Sequence, residues 1–179
     1  APASASGALC GDPRLAGARI PAIRGPGGCG VAQPVRLARA SGLRLEPPTQ
    51  VNCETARALA DWVERVVKPA ARETLGVEAV ALDAFAGYAC RTRNNRPGGR
   101  LSEHATGNAI DIGGVALSDG REIALGGNWR RGDAGAFFRR VWRGACGPFG
   151  TVLGPDSDRW HRDHFHLDVA RYRSGPYCK

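Results

Sequence analysis

Six cysteines are spread along the 179 residues, and they restrict the possible folds more than any other feature. None forms the Cys-x-x-Cys spacing of zinc knuckles and thioredoxin-type sites. An even, dispersed set is typical of three disulfides formed in an oxidising compartment, whereas six buried thiols in a cytosolic protein are the alternative. Because each pair would then bracket one contiguous region, we expect the pairs Cys10–Cys29, Cys53–Cys90 and Cys146–Cys178.

The expected disulfides indicate a periplasmic or secreted protein. In that setting we interpret Ala1-Pro2-Ala3-Ser4 as a mature or trimmed end. No apolar run approaches the length of about 18 residues that a membrane helix needs, so we expect no membrane insertion. The chain length favours a single domain, and we expect a monomer.

The net charge of +8 calls for an anionic partner. The chain contains no cluster of five basic residues and no repeat of aromatic and basic residues, so we expect no nucleic-acid binding. An anionic cell-wall polymer suits an exported protein better.

The pattern of apolar residues predicts an α+β fold. Residues 1–30 are rich in Gly, Pro, Ala and Ser and are predicted to form an irregular arm tied down by Cys10 and Cys29. Residues 31–179 are predicted to form one domain, with a small central antiparallel sheet flanked by two main helices.

Capping and turn residues predict where these elements begin and end. Asn52 can cap the first helix and Gly76 can end it, while Asp133 can cap the second. A hairpin around Ala40-Ser41-Gly42 is expected to end at Pro47-Pro48. Gly113-Gly114 is expected to close a short strand at residues 109–112.

All four histidines lie in two short segments, at residues 102–111 and 160–168. In a strand His164, His166 and Asp168 would face one side, because alternate residues share a face. One imidazole of the pair could bind a metal while the other takes part in the chemistry. With His104 and Asp111 they could form a His, Asp, His set, which leaves the fourth tetrahedral position open as in catalytic zinc sites.

Several nearby residues have two interpretations. Asp168 either holds an imidazole or pairs with Arg171, and Trp160 either lines a cleft or packs in the core. Ser102 and Glu103 are expected to cap the turn that presents His104, with a catalytic role as the alternative. Asp156 and Asp158 are expected to be solvated loop carboxylates.

The histidine segments resemble the zinc motifs of a known group of proteins. Ser102-x-His104-x-x-Gly107-x-Ala109-x-Asp111 is similar to the first motif of the lysostaphin, D-Ala-D-Ala metallopeptidase and Hedgehog amino-terminal domain group. His164-Phe165-His166 is similar to the second. From about residue 30 onward the chain most closely resembles the extensin-like C-terminal domain family of bacteria, on segments 91–94, 101–114, 144–146, 149–155 and 161–168.

The resemblance implies a role for each site residue. His104, Asp111 and His166 would be the zinc ligands. His164 would be the general base or a donor to the oxyanion. Asp163 is the second candidate for the base, because carboxypeptidases of the group carry an acidic residue three positions before the last zinc histidine.

Two further residues resemble functional positions of the group. The spacing of His161 resembles that of a histidine near the site of penicillin-insensitive murein endopeptidases. Arg91 resembles an arginine that binds a substrate carboxylate or the developing oxyanion, although Ala89-Cys90 is inserted in the usual pattern.

The resemblance therefore implies an exported zinc metallopeptidase that acts on peptidoglycan cross-links or stem peptides. The rival interpretation is a module that holds zinc and binds the cell wall without cleaving it, as Hedgehog does for this fold group. A weaker alternative is a disulfide-rich wall protein with no metal.

Overall fold

Residues 15–31 of the expected arm contribute strands to both sheets. The computed structural model describes residues 7–179, so the interpretation of Ala1-Pro2-Ala3-Ser4 as a mature or trimmed end falls outside the described residues. Strand β1 (Leu15–Arg19) pairs antiparallel with a later strand at one edge of the main sheet. Strands β2 (Ile23–Arg24) and β3 (Gly30–Val31) form a separate antiparallel pair. The prediction of an irregular arm is wrong for these segments.

The first long hairpin forms where it was predicted. Strands β4 (Pro34–Ala40) and β5 (Leu43–Asn52) are joined at Ser41 and Gly42, whose φ angles of 46° and 86° suit a two-residue hairpin turn. The expected end at Pro47-Pro48 is wrong. The register between β4 and β5 shifts here, so the two prolines have no partner residue in β4. Their lack of a backbone N–H therefore costs no hydrogen bond to β4.

The first predicted helix is confirmed at both ends. Helix α1 (Cys53–Trp62) continues through a π-helical turn, Val63–Val67, into α2 (Lys68–Leu75). The Asn52 side chain accepts a hydrogen bond of 2.8 Å from the backbone of Thr55. Gly76 ends α2 with φ at 72°, a left-handed conformation that suits glycine.

Two glycines let a central strand run further than predicted. Strand β6 (Ala79–Ala86) pairs with β7 (Ala109–Leu117), which in turn pairs with β8 (Glu122–Ala124). The expected strand end at Gly113-Gly114 is wrong. The ring of Phe85 occupies the space of a Cβ at Gly113, and the Ile123 carbonyl oxygen lies 2.7 Å from where the Cβ of Gly114 would be.

The second predicted helix packs against the first. Helix α3 (Gly132–Ala145) has Arg131 at its N-cap, without a side-chain cap, and Asp133 in its first turn. The prediction that Asp133 caps it is therefore wrong, although a carboxylate in the first turn still favours the helix dipole. The indole nitrogen of Trp62 donates a 2.8 Å hydrogen bond to the Val141 carbonyl and joins the two helices.

The sheet is much larger than predicted. It is completed by β9 (Thr151–Leu153), β10 (Phe165–Asp168) and β11 (Tyr177–Cys178). Within residues 7–179 it has nine strands in the order β1-β4-β5-β6-β7-β10-β9-β11, with β8 beside β7. The pairs β5–β6 and β9–β11 are parallel. The α+β class with two helices is confirmed, whereas the small, wholly antiparallel sheet is wrong, because short strands near both termini also join it.

Three disulfides cross-link the fold, and no free cysteine occurs in the described part of the chain. Cys146–Cys178 is confirmed. The other two predicted pairs are wrong, since the structure has Cys10–Cys53 and Cys29–Cys90. Pairing of β1 with β4 brings Cys10 to Cys53 at the start of α1. Cys10 therefore bonds a cysteine that is distant in sequence rather than the nearer Cys29. Three disulfides are typical of an oxidising compartment.

Among residues 7–179, none of the helices has the length and apolar character needed to cross a membrane.

Gly150 offers a direct test of the packing between β9 and the segment after β10. A Cβ at this position would overlap with the Ala170 carbonyl oxygen, which is backbone and cannot rotate away. We expect Gly150→Ala to lower the free energy of unfolding by about 1–3 kcal/mol, as overpacking typically does. Thermal unfolding followed by circular dichroism measures the effect. Gly175→Ala is the control, because a Cβ there meets no atom within 4 Å; equal melting temperatures for the two variants would contradict the expectation.

Candidate metal centre

A short turn presents His104 to the interior. The residue lies in the 3₁₀ turn Glu103–Thr106, which Gly107 ends with φ at 71°. As predicted, Ser102 caps this turn, since its side chain accepts a hydrogen bond of 3.3 Å from the backbone nitrogen of His104. The side chain of His104 is completely buried. The turn therefore fixes the position of the imidazole within the fold.

Two neighbouring strands supply the other members of the cluster. Asp111 of β7 and His166 of β10 are direct partners in the antiparallel register. Phe165 and Leu167 alternate with His166 along β10 and are buried in the hydrophobic core. Because alternate residues of a strand face opposite sides, this packing directs His166 away from the core and towards Asp111.

The three side chains converge on one point. His104 Nε2 lies 3.1 Å from Asp111 Oδ1 and 3.2 Å from His166 Nδ1. The distance from His166 Nδ1 to Asp111 Oδ1 is 3.3 Å. These three atoms form a nearly equilateral triangle, and they come from three separate elements of the fold.

The opposite nitrogen of each imidazole is already engaged. His104 Nδ1 lies 2.7 Å from the Gly87 carbonyl oxygen, and His166 Nε2 lies 2.8 Å from Asp168 Oδ2. Both oxygens are acceptors, so in the neutral rings these nitrogens carry the protons. The lone pairs of His104 Nε2 and His166 Nδ1 then face each other and the Asp111 carboxylate. Because these three electron-rich atoms repel one another, a positive charge between them would stabilise the arrangement.

The charges of the cluster perturb the titration of its members. Burial favours a neutral Asp111, but hydrogen bonds and charges from His104 and His166 prevail and hold the pKa of this carboxyl well below its usual range. Burial also opposes protonation of His166, but Asp111 and Asp168 raise its pKa to about 9. Both shifts include the attraction between the Asp111 carboxylate and the neighbouring imidazoles.

The geometry of the triangle fits a zinc ion. With zinc–ligand bonds of about 2.0–2.1 Å, the ligand atoms of a tetrahedral site lie about 3.3–3.4 Å apart. The observed separations of 3.1–3.3 Å are close to this value. The hydrogen bonds from the far ring nitrogens to a carbonyl and a carboxylate are those that orient metal-ligating histidines. Three protein ligands leave the fourth position open.

The two other histidines lie beside this cluster. His164 Nδ1 donates a 2.8 Å hydrogen bond to Asp163 Oδ1, and His164 Nε2 lies 3.7 Å from Asp111 Oδ2. His161 Nδ1 donates to Asp158 Oδ1 at 2.8 Å. The ring of His161 is 5.2 Å from that of His164 and 5.9 Å from that of His166, centre to centre. Burial lowers the pKa of His161, although Asp158 opposes the shift.

An open cleft of about 750 Å³ gives access to the cluster. His161, His164 and Arg91 line it together with Asp111 and His166 of the cluster. Arg91 therefore lies in the same cleft as the cluster despite the inserted Ala89-Cys90.

The structure decides several of the open interpretations. Asp168 holds the His166 imidazole, whereas Arg171 donates to the carbonyls of Gly147 and Pro148. Trp160 lines the cleft and is 46% exposed, so it does not pack in the core. Asp163 is mostly exposed and touches His164, and it does not belong to the cleft lining.

Sequence reasoning missed three parts of the site. Asp158 was expected to be a solvated carboxylate, yet it accepts a hydrogen bond that orients His161. The spacing of three residues between Asp158 and His161 could have indicated this contact. The Gly87 carbonyl has no side-chain signature. The ring of Phe85 lies 5.8 Å from that of His164 because the adjacent Gly113 has no side chain.

Asp168 controls which nitrogen of His166 is free to bind a metal. In Asp168→Asn, the amide can donate to Nε2 and move the proton to Nδ1, the ligand atom. We therefore expect zinc affinity to fall about 10–100-fold, the usual effect of losing such a partner. Competition with a fluorescent zinc chelator measures it. Asp156→Asn serves as control, since the Asp156 carboxylate accepts hydrogen bonds from Trp129 and Arg130 at the surface; a similar loss in both variants would contradict the proposed role.

Comparison with known proteins gives one family match. The model of the family described as "Extensin-like protein C-terminus" matches residues 11–179. No curated protein and no solved structure matches the chain. The matched range includes every residue of the candidate metal centre and of the cleft around it.

Proposed function

The chain belongs to the extensin-like protein C-terminus family, and from this premise we propose that it is a zinc-dependent peptidase that hydrolyses cross-links or stem peptides of peptidoglycan. The observation that carries the proposal is the triangle of His104 Nε2, Asp111 Oδ1 and His166 Nδ1. The three atoms are spaced as in a tetrahedral site, and hydrogen bonds to Gly87 and Asp168 favour the imidazole tautomers that metal binding requires. One side of the triangle faces the cleft. A structural zinc site would be closed by a fourth protein ligand.

The proposed metal ligands are His104, Asp111 and His166. When bound, zinc would supply a Lewis acid that polarises the scissile carbonyl and lowers the pKa of water to about 7. Gly87 and Asp168 would keep the two imidazoles in the tautomer that this role requires.

His164 is the better placed of the two candidates for the general base. Its Nδ1 proton is held by Asp163, so Nε2 of the neutral ring is free to take a proton from the attacking water and pass it to the leaving amine. The distance of 3.7 Å from Nε2 to Asp111 Oδ2 places this nitrogen beside the metal ligands. Asp163 is mostly exposed and would orient the base.

Arg91 and the protonated form of His161 are the proposed donors to the oxyanion. Because Nδ1 of His161 donates to Asp158, Nε2 can donate only in the imidazolium form, which burial opposes and Asp158 favours. Both residues line the cleft, and the hydrogen bond from His161 Nδ1 to Asp158 fixes the orientation of the His161 imidazole. A donor that meets developing charge in such a site contributes about 3–4 kcal/mol to transition-state stabilisation.

Peptidoglycan as the substrate is supported by charge and by resemblance. The net charge of +8 favours an anionic wall polymer. The spacing of His161 and its neighbours resembles that in penicillin-insensitive murein endopeptidases. The three disulfides support a periplasmic or secreted location, where this polymer is accessible.

The test is incubation of purified sacculi with the zinc-loaded protein, followed by mass spectrometry of the muropeptides. We expect new products that disappear when a chelator is added and return when zinc is restored. The masses of the products identify the bond that is cleaved.

The same experiment addresses the non-catalytic alternative. If the protein binds the sacculi, retains zinc and releases no product, the proposal is wrong and the domain is a zinc-containing wall-binding module. If the purified protein carries no zinc and acquires none, both interpretations fail.

A further inference from the structure

We propose that Arg93, Arg100 and Tyr172 form a second subsite of the cleft, which binds a carboxylate of the substrate. This inference rests on the proposed peptidase function, because it assigns a recognition element to the same cleft. Its three residues lie outside the metal-site motifs, and only Arg93 belongs to a segment that carries the family resemblance. We refer to the three residues as the arginine–tyrosine subsite.

The geometry of the subsite centres on one aromatic ring. The guanidinium carbons of Arg93 and Arg100 lie 5.7 Å and 5.6 Å from the ring centre of Tyr172. Arg93 Nη2 also donates a 3.2 Å hydrogen bond to the Tyr172 hydroxyl. All three side chains line the cleft that contains the metal centre. Two positive groups are therefore held close together on one side of the proposed active site.

These charges are poorly neutralised within residues 7–179. Arg100 takes part in none of the ion pairs found there, and Arg93 reaches only Glu103, at 4.0 Å. The Glu103 carboxylate is shared, because it also accepts a 2.9 Å hydrogen bond from Asn108 Nδ2. By contrast, Arg14 and Arg140 each have a carboxylate oxygen within 2.8 Å. The arginine–tyrosine subsite thus has unused capacity to bind an anion.

The backbone fixes the subsite relative to the metal centre. Arg93 donates from its backbone nitrogen to the Arg100 carbonyl at 2.9 Å, so the two arginines face each other across one narrow loop. The Cys29–Cys90 disulfide anchors the start of this loop. At its other end Glu103 directly precedes the proposed ligand His104. Both sites therefore line one cleft.

The chemistry of the subsite selects a carboxylate. A guanidinium presents parallel N–H groups that match the two oxygens of a carboxylate, and the aromatic ring limits its rotation. A peptide substrate has two sources of this group, its C-terminal carboxylate and its acidic side chains. We expect the subsite to bind one of them while the scissile carbonyl lies at the metal centre.

The test is binding of a fluorescently labelled stem-type peptide to the zinc-loaded protein, measured by fluorescence polarisation. The peptide is prepared in three forms: all carboxylates free, the C-terminal carboxylate amidated, and the side-chain carboxylates amidated. The amidated form that loses affinity identifies the recognised group. His164→Ala is used as the background, so that hydrolysis does not distort the binding curve.

Removing the two arginine charges should abolish the preference for the free carboxylate. We expect the double variant Arg93→Gln/Arg100→Gln to raise the Kd of the free peptide about 10–100-fold, as loss of charge-assisted hydrogen bonds does. Its Kd for the relevant amidated peptide should not change. Arg96→Gln is the matched control, since Arg96 lies exposed on the same loop and outside the cleft lining.

The outcomes separate this inference from the proposed function. Equal affinity of the His164→Ala protein, with both arginines in place, for all three peptides overturns the subsite, even if the native protein cleaves sacculi. Equal loss of affinity for free and amidated peptides in the double variant also overturns it, because the change is then not specific to a carboxylate. Carboxylate-dependent binding by the His164→Ala protein, combined with no cleavage of sacculi by the zinc-loaded native protein, supports the subsite and refutes the peptidase.

Discussion

Replacing His104 with alanine will remove one corner of the metal centre and abolish both zinc retention and hydrolysis of sacculi. The imidazole supplies one of the three proposed ligand atoms. A site with two remaining ligands should lose more than about 100-fold in zinc affinity, which exceeds the effect of removing a residue that only orients a ligand. Zinc content after dialysis, measured by mass spectrometry, reports the first effect. Muropeptide analysis reports the second.

A conservative variant keeps this prediction independent of folding. His104 is completely buried, so its truncation leaves a cavity. Asp111→Asn preserves the volume while removing the negative charge, and we expect a similar loss of zinc. Asp119→Asn is the control, because Asp119 lies exposed in a turn and pairs with Arg121. Full zinc content in a folded Asp111→Asn protein would exclude the proposed centre.

Replacing His164 with alanine will have a different result: zinc will remain, and turnover will nearly disappear. His164 lies beside the proposed ligands, and its Nδ1 proton is held by Asp163. Loss of a general base typically lowers kcat about 100- to 10,000-fold. Muropeptide release measured over time gives the rate, and zinc content is measured on the same sample.

Asp163→Asn tests whether the carboxylate or the imidazole is the base. If Asp163 only orients His164, this variant should lower turnover by about 10-fold or less, well below the effect expected for the base itself. A larger defect in Asp163→Asn than in His164→Ala would reverse the assignment. Loss of zinc from His164→Ala would instead make His164 a ligand.

The parts of the fold that were predictable are governed by local chemistry. Asn52 caps a helix with its own side chain, and Gly76 ends the helix in a left-handed conformation, so both signals act within one turn of the chain. The turn at Ser41 and Gly42 is equally local. These interactions depend on neighbouring residues, which a sequence displays directly.

The parts that were not predictable depend on distant contacts. Gly113-Gly114 resembles a strand end, but the missing side chains make room for Phe85 and for the Ile123 backbone. Pro47-Pro48 is tolerated in β5 because of a register shift in the pairing with β4. Neither partner is near in sequence, so composition and periodicity could not reveal these contacts.

The candidate site likewise has some parts that were predictable from the sequence and others that were not. The spacing of His104, Asp111 and the pair His164 and His166 indicated the cluster, because strand alternation and a short turn bring them together. Only the resemblance to the zinc motifs implied His166 rather than His164 as the third member. The acceptors that fix the imidazoles were harder to foresee, since the Gly87 oxygen belongs to the backbone and Asp158 lies in a loop. The arginine–tyrosine subsite depends on two loops separated by about 70 residues of sequence, counted from Arg100 to Tyr172.

The pattern of cross-links has a consequence for how the chain matures. Cys10 joins Cys53 and Cys29 joins Cys90, so the two loops interleave. If the polypeptide emerges into an oxidant from its N-terminus, Cys10 and Cys29 are exposed together before either native partner arrives. A premature bond between them would have to be resolved by thiol–disulfide exchange. The yield of native protein should therefore depend on a disulfide isomerase more than on an oxidase.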